Sequence, residues 1–140
     1  MLLHGKTVAE FFGQNAMKPS RITVSKDRKT LTVQFEEVGG EAETHQLEAE
    51  LLRVRSPSAE VQGHSAEQRV LVYGKRDVGI MKLHPIGNYA IRIEFDDLHN
   101  TGIFTWPFLL ELGRNKEAEW ATYEAELAAA GRSRDPVRLK

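Results

Sequence analysis

Asn88 to Leu112 reads NYAIRIEFDDLHNTGIFTWPFLLEL. Tyr89, Ile91, Ile93 and Phe95 alternate with Ala90, Arg92, Glu94 and Asp96, the period-2 pattern of a strand with one buried and one wet face. Asp97 to Thr101 then supply side chains that favour a tight turn through local bonds to the backbone. A second short strand follows. Trp106-Pro107 opens a short helix, because proline's fixed φ and missing N–H suit a first helical turn. Tyr89, Ile91, Ile93, Phe95, Trp106 and Leu109 are the core expected from this stretch.

A similar arrangement precedes it. Ile22 and Val24 alternate with polar residues, Lys26 to Lys29 form a charged turn, and Leu31, Val33 and Phe35 alternate with Thr30, Thr32, Gln34 and Glu36. Gly39-Gly40 supplies a turn where positive φ is cheap. A strand near Thr44 to Leu47 then runs into Glu48 to Arg53, one to two helical turns stopped by Ser56-Pro57. Phe35 matches Phe95, Glu36-Glu37 match Asp96-Asp97, and Leu51-Leu52 match Leu109-Leu110. The expected fold is therefore α+β: a mainly antiparallel sheet of about five to seven strands, built from two pseudo-repeated hairpin–strand–helix halves and flanked by terminal helices.

Thr7-Val8-Ala9-Glu10 matches a capping box, with a helix from about Val8 to Asn15 whose Phe11 and Phe12 either dock on the core or meet a partner. Between the halves, Ser56 to Gln68 reads as a polar loop and Val70 to Tyr73 as a short strand. Val78 to His84 reads as another strand, its faces ambiguous. Gly113 is placed as a helix C-cap and Asn115 as the N-cap of a last helix ended by Gly131. Trp120, Tyr123 and Leu127 share one face of that helix, for core docking or, alternatively, a dimer contact. The divisions expected are a helical extension (1–18), the main domain (19–113), a C-terminal helix (114–131) and a disordered tail (132–140).

At 140 residues the chain suits one domain. Lys and Arg number 19 against 20 Asp and Glu, a formal charge of -1. No global basic field draws it to nucleic acid or anionic lipid. With no cysteine there is neither a disulfide nor a thiolate metal site. The opening MLLHGKTVAEFF lacks the pattern of a secretory signal, and no segment approaches the ~20 apolar residues of a membrane span. Cytoplasmic location is the expectation.

His99 lies beside Asp96 and Asp97, and histidine with carboxylate is an ordinary ligand set for zinc or iron. Asp96 and Asp97 are neighbours at a strand end, however, so their side chains start toward opposite faces. None of the five histidines sits in a His-x-x-x-His, His-x-Asp or His-Glu-x-x-His spacing. Gly-x-Ser-x-Gly, a P-loop and G-x-G-x-x-G are all missing. No catalytic residue and no cofactor site is expected from the chain's own motifs.

At FDDLHNTGIFTW (Phe95 to Trp106) and LLRVRSPSAEVQGH (Leu51 to His64), from about Pro19 to Gly113, the chain resembles the small domain at the N-terminus of gamma-butyrobetaine hydroxylase, which also occurs in bacteria as stand-alone proteins of unknown function. A related domain ends some plastid P-loop proteins that assemble iron–sulfur clusters. In the hydroxylase the domain holds a structural zinc with three cysteines and a histidine. The resemblance places Ser56, Ser58 and Val61 at the cysteine positions and His99 at the histidine, so three of four ligands are lost. Leu98 stands for a common glycine and Asn100 for a common acid. The hydroxylase's separate 2-oxoglutarate and iron domain has no counterpart here. The resemblance therefore implies an uncharacterised, non-catalytic binding or accessory module linked to iron–sulfur or metal handling. Its expected partner is an iron–sulfur assembly or metabolic enzyme, and its expected state a monomer or weak homodimer. The alternatives are a zinc or iron protein using His99 with His64 or Glu60, and a small enzyme with an unrecognised site.

Overall fold

A computed structural model describes residues 18–38, 41–63 and 69–137. The capping box and Phe11-Phe12 helix, the Gly39-Gly40 turn and His64 lie outside the described residues. Strands β1 (Pro19–Val24), β2 (Thr30–Val38) and β3 (Glu41–Glu48) precede helices α1 (Ala49–Val54) and α2 (Ala59–Gln62). Strands β4 (Ile80–Ile86), β5 (Ala90–Phe95) and β6 (Ile103–Thr105) precede α3 (Trp106–Arg114) and α4 (Lys116–Ala130). The fold is α+β, with two three-stranded antiparallel sheets ordered β1-β2-β3 and β4-β5-β6. A helix leaves the last strand of each sheet, so a β-β-β-α order occurs twice.

Alternation dictates which face is buried. Leu31, Val33 and Phe35 on β2 and Ile93 and Phe95 on β5 are fully enclosed, and they share one core with Leu47, Ile80, Phe104, Leu52 and Leu109. Each such side chain contributes about 1.5–3 kcal/mol by leaving water. The sheets meet where the β1–β2 turn touches the start of β4: the Ile80 N–H donates to the Arg28 carbonyl at 2.8 Å.

Several local expectations are corrected. Tyr89 is 52% exposed rather than core. It sits in the turn after Gly87 (φ +52°), ahead of the first β5 residue, Ala90. Val70 to Tyr73 is not a strand. Leu71, Val72 and Tyr73 instead pack beside Val54, Tyr123 and Leu127, and the Tyr123 hydroxyl donates to the Val72 carbonyl at 2.7 Å. A register shift between Ile80 and Lys82 turns Met81 outward, which is why the β4 pattern reads ambiguously. Gly113 lies inside α3 and is needed for close approach, since a Cβ there would stand 2.4 Å from the His45 ring. Asn115 makes no side-chain cap for α4; its amide donates back to the Glu111 carbonyl at 2.9 Å. Gly131 does end α4, left-handed at φ 64°, with the Arg132 N–H on the Leu127 carbonyl and the Gly131 N–H on the Ala128 carbonyl.

The segment after Gly131, expected to be disordered on composition, is docked as far as it is described. The Gly74 and Arg76 N–H groups donate to the Ser133 and Arg134 carbonyls at 3.0 and 2.9 Å. Arg134 grips the buried Glu50 carboxylate at 2.7–3.1 Å and lies over the Trp120 ring.

Candidate functional site

Two segments distant in sequence converge behind α1. The first leaves α1 at Arg55 and runs extended through Ser56-Pro57-Ser58 into α2. The second is the turn between β5 and β6. There the Leu98 N–H donates to the Phe95 carbonyl at 3.0 Å, the Phe95 N–H to the His99 carbonyl at 2.9 Å, and the His99 N–H to Asp97 Oδ1 at 3.1 Å. Leu98 adopts φ 74°, a left-handed conformation that glycine takes without strain. Leu98 therefore holds its backbone in a conformation that costs a side chain about 1–2 kcal/mol.

The turn delivers the His99 ring onto the serine segment. His99 Nε2 lies 3.0 Å from Ser56 Oγ and 3.4 Å from Ser58 Oγ, and Nδ1 lies 3.2 Å from Glu60 Oε2. Burial, with the Arg53 guanidinium second, pushes the imidazole below its ordinary pKa, outweighing the pull of Glu60 and Asp97. The ring is therefore neutral at pH 7. The Glu60 carboxylate can only accept, so Nδ1 carries the proton and Nε2 accepts from the Ser56 hydroxyl. Thr101 Oγ1 donates to Glu60 Oε1 at 3.2 Å, tying the same two segments again at the surface.

A charged layer backs the cluster. Arg53 Nε donates to Asp97 Oδ2 at 2.8 Å, and Lys75 Nζ lies 2.6 Å from the same oxygen. Burial pushes the Asp97 carboxyl up, but Lys75, Arg53 and the His99 N–H outweigh it and hold it below its ordinary value. Arg53 Nη1 is buried without a hydrogen-bond partner among the described residues. The Asp96 carboxylate lies beside Gly79, where a Cβ would stand 3.0 Å from its Oδ2, whereas Asp97 binds Arg53 and Lys75, so the two neighbouring acids do not share a site.

Ser56, His99 and Glu60 are hydrogen-bonded in the order of a nucleophilic triad. Ser56, however, is fully enclosed, and a Cβ at Gly102 would stand 2.2 Å from its hydroxyl. A substrate carbonyl has no approach to that oxygen, so the line does not function as a nucleophile.

The donor set does not fit the structural zinc that the resemblance implies either. Two neutral hydroxyls and the buried Val61 side chain stand where thiolates are required. In a tetrahedral zinc site, imidazole nitrogen and ligand sulfur lie about 3.6 Å apart, from bonds of about 2.1 and 2.3 Å. Ser56 Oγ and His99 Nε2, at 3.0 Å, are in direct hydrogen-bond contact instead. The adjacent Arg53 charge opposes a dication. Among the described residues no three His, Cys, Asp or Glu side chains gather at one point. Of the residues singled out from sequence, Ser56, Ser58, Glu60 and His99 therefore meet, Val61 is buried close by in the chain, and His64 lies outside the described residues. Sequence reasoning missed Arg53, Lys75 and Gly102; the glycine beside the turn was the one available signal.

One open groove adjoins this corner, and another lies between α1 and α4. The first, about 440 Å³, is lined by Arg55, Pro57, Phe108, Leu112, Asn115 and Glu119. The other, about 250 Å³, is lined by Leu51, Trp120 and Ala121 with Lys116, Glu117 and Glu124 at its rim. Among the described residues no helix is long and apolar enough to cross a membrane.

Residues 22–110 match the family described as gamma-butyrobetaine hydroxylase-like, N-terminal. Several solved structures resemble the chain. A solution NMR structure, 49% identical, superposes with a TM-score of 0.73 and covers 88% of this chain and 94% of its own. A second solution NMR structure, 35% identical, has a TM-score of 0.72 and covers 100% and 95%. A crystal structure of a protein of unknown function of the DUF971 family from Acidithiobacillus ferrooxidans, 31% identical, has a TM-score of 0.55 and covers 71% and 96%. Comparison with curated proteins gave no match.

Proposed function

The chain belongs to the gamma-butyrobetaine hydroxylase-like N-terminal family, and we propose that it is a non-catalytic accessory module that binds a protein partner. The observation that carries this reading is the sealed Ser56–His99–Glu60 line: among the described residues, the one arrangement with catalytic order is closed to substrate. The open chemistry lies beside it, in the groove between Arg55-Pro57 and the α3–α4 junction, where Phe108 and Leu112 offer apolar surface within a polar rim. The partner class is an iron–sulfur assembly enzyme or a 2-oxoglutarate-dependent enzyme, an assignment that rests on the family resemblance alone. The module acts in the cytoplasm as a monomer or weak homodimer.

Calorimetric titration of the chain against one purified enzyme of each class tests this. Binding by the parent chain, weakened tenfold or more by Asn115→Arg at the exposed groove rim with no change in thermal midpoint, is the expected result. Absence of binding to both classes overturns the reading. A second reading, zinc or iron bound by His99 with Glu60 or His64, draws on the 3.2 Å approach of Glu60 to the imidazole. It requires tag-free protein to carry metal that His99→Ala loses.

A further inference from the structure

Ser56 and Ser58, at two positions where the family's zinc has cysteines, both come within hydrogen-bond range of the same nitrogen of the matching histidine. Val61, at the third, is 1% exposed. The backbone thus still delivers these side chains to one buried corner, although their chemistry no longer suits a metal. We infer that in this chain a hydrogen-bonded cluster has taken over the mechanical role of the ion: the Ser56 hydroxyl on His99 Nε2, with Nδ1–H on Glu60, joins the α1–α2 segment to the β5–β6 turn without metal.

Four features support the exchange. A structural zinc ties loops through bonds to deprotonated ligands, and neutral hydroxyls cannot supply these at pH 7. A buried imidazole left without partners would be costly, and here both nitrogens are satisfied. Arg53 and Lys75 offset the Asp97 and Glu60 carboxylates, so the surroundings of the ring carry no surplus negative charge. That balance suits a neutral histidine and opposes Zn²⁺. Gly102 brings the turn backbone against Ser56, so the contact is short enough for a direct hydrogen bond. The inference concerns how the corner is built and is independent of whether a protein partner binds the groove.

The test uses the full chain without a tag. Zinc is titrated into the parent protein while the histidine ring nitrogens are followed by ¹⁵N NMR, and the thermal midpoint is measured with and without excess chelator. His99 is expected to show a protonated Nδ1 and a hydrogen-bonded, unprotonated Nε2 that zinc does not shift, and the chelator is expected to leave the midpoint unmoved. A His99 ring resonance that moves with one equivalent of zinc, or a midpoint lowered by chelator, overturns the inference. Separately, the S56C/S58C/V61C variant is expected to bind one zinc per chain and, with cobalt, to show thiolate-to-metal charge-transfer absorption. A triple variant that folds yet takes no zinc refutes the claim that the backbone still presents the ligand positions. If it does not fold, the parent-protein measurements still decide whether the corner is metal-free.

Discussion

Arg134→Ala is expected to destabilise this protein well beyond the loss of an ordinary surface ion pair. Glu50 sits in α1 with 4% of its side chain exposed, and both its carboxylate oxygens accept from Arg134, Nε at 2.9 and 3.1 Å and Nη2 at 2.7 Å. Removing one partner of a buried pair leaves an uncompensated charge and costs about 3–5 kcal/mol. Arg134 itself is 26% exposed, so water can reach the vacated space and the lower end, about 3 kcal/mol, applies. The lost stacking over Trp120, at 4.8 Å from the ring centroid, adds about 0.5–1 kcal/mol. In a domain this size, the total lowers the thermal midpoint by roughly 10 °C. Urea unfolding of the parent, Arg134→Ala, Glu50→Gln and the double variant forms a complete cycle. Glu50→Gln in the Arg134→Ala background is expected to recover part of the loss, because a buried amide without a partner costs less than a buried charge. A loss of about 1 kcal/mol or less for Arg134→Ala, the range of exposed pairs, would refute the reasoning and return the tail to a loosely held segment.

Three other outcomes follow from the corner around His99. Its folded pKa lies below the unfolded value of about 6.5, so its stabilising effect is full above that pH and is lost as pH falls from there through the folded pKa. Urea midpoints measured from pH 7.5 downward should fall with a slope of at most about 1.4 kcal/mol per pH unit from this group, and His99→Gln should flatten that slope; an unchanged slope would show that the ring is not a buried neutral acceptor. Gly102→Ala should cost about 1–3 kcal/mol by driving a methyl into the Ser56 hydroxyl, and Ser56→Ala in that background should recover part of it, since the Ser56 Cβ is an ordinary 3.4 Å away. Leu98→Gly, at an exposed left-handed position, should be neutral or stabilising by up to about 1 kcal/mol, whereas Leu98→Val should destabilise, both read from urea midpoints.

The strands and the core were legible because alternation is a local property. Leu31, Val33 and Phe35, then Ile91, Ile93 and Phe95, declare a buried face within six residues, and the structure encloses all of them. Tyr89 continued that alternation on paper but precedes the strand, because Gly87 turns the chain first. Val70 to Tyr73 had the composition of a strand, yet Val70 is exposed and Leu71, Val72 and Tyr73 pack beside Tyr123 and Leu127 of α4. Gly113 was legible as a glycine that matters, but its role beside His45 depends on β3, far away in sequence.

By itself the sequence determined the α+β class, the family, and the loss of the thiolates that a structural zinc would need. Each of these follows from residue identity and short-range spacing. Only the tertiary structure decided that Ser56 and Glu60 close on opposite nitrogens of His99, that Arg53 and Lys75 share Asp97, and that Arg134 neutralises Glu50. These contacts join residues more than thirty positions apart in every case but one, Lys75–Asp97, and none has a periodicity to announce it. Their strength comes from burial, and burial is a property of the packed chain.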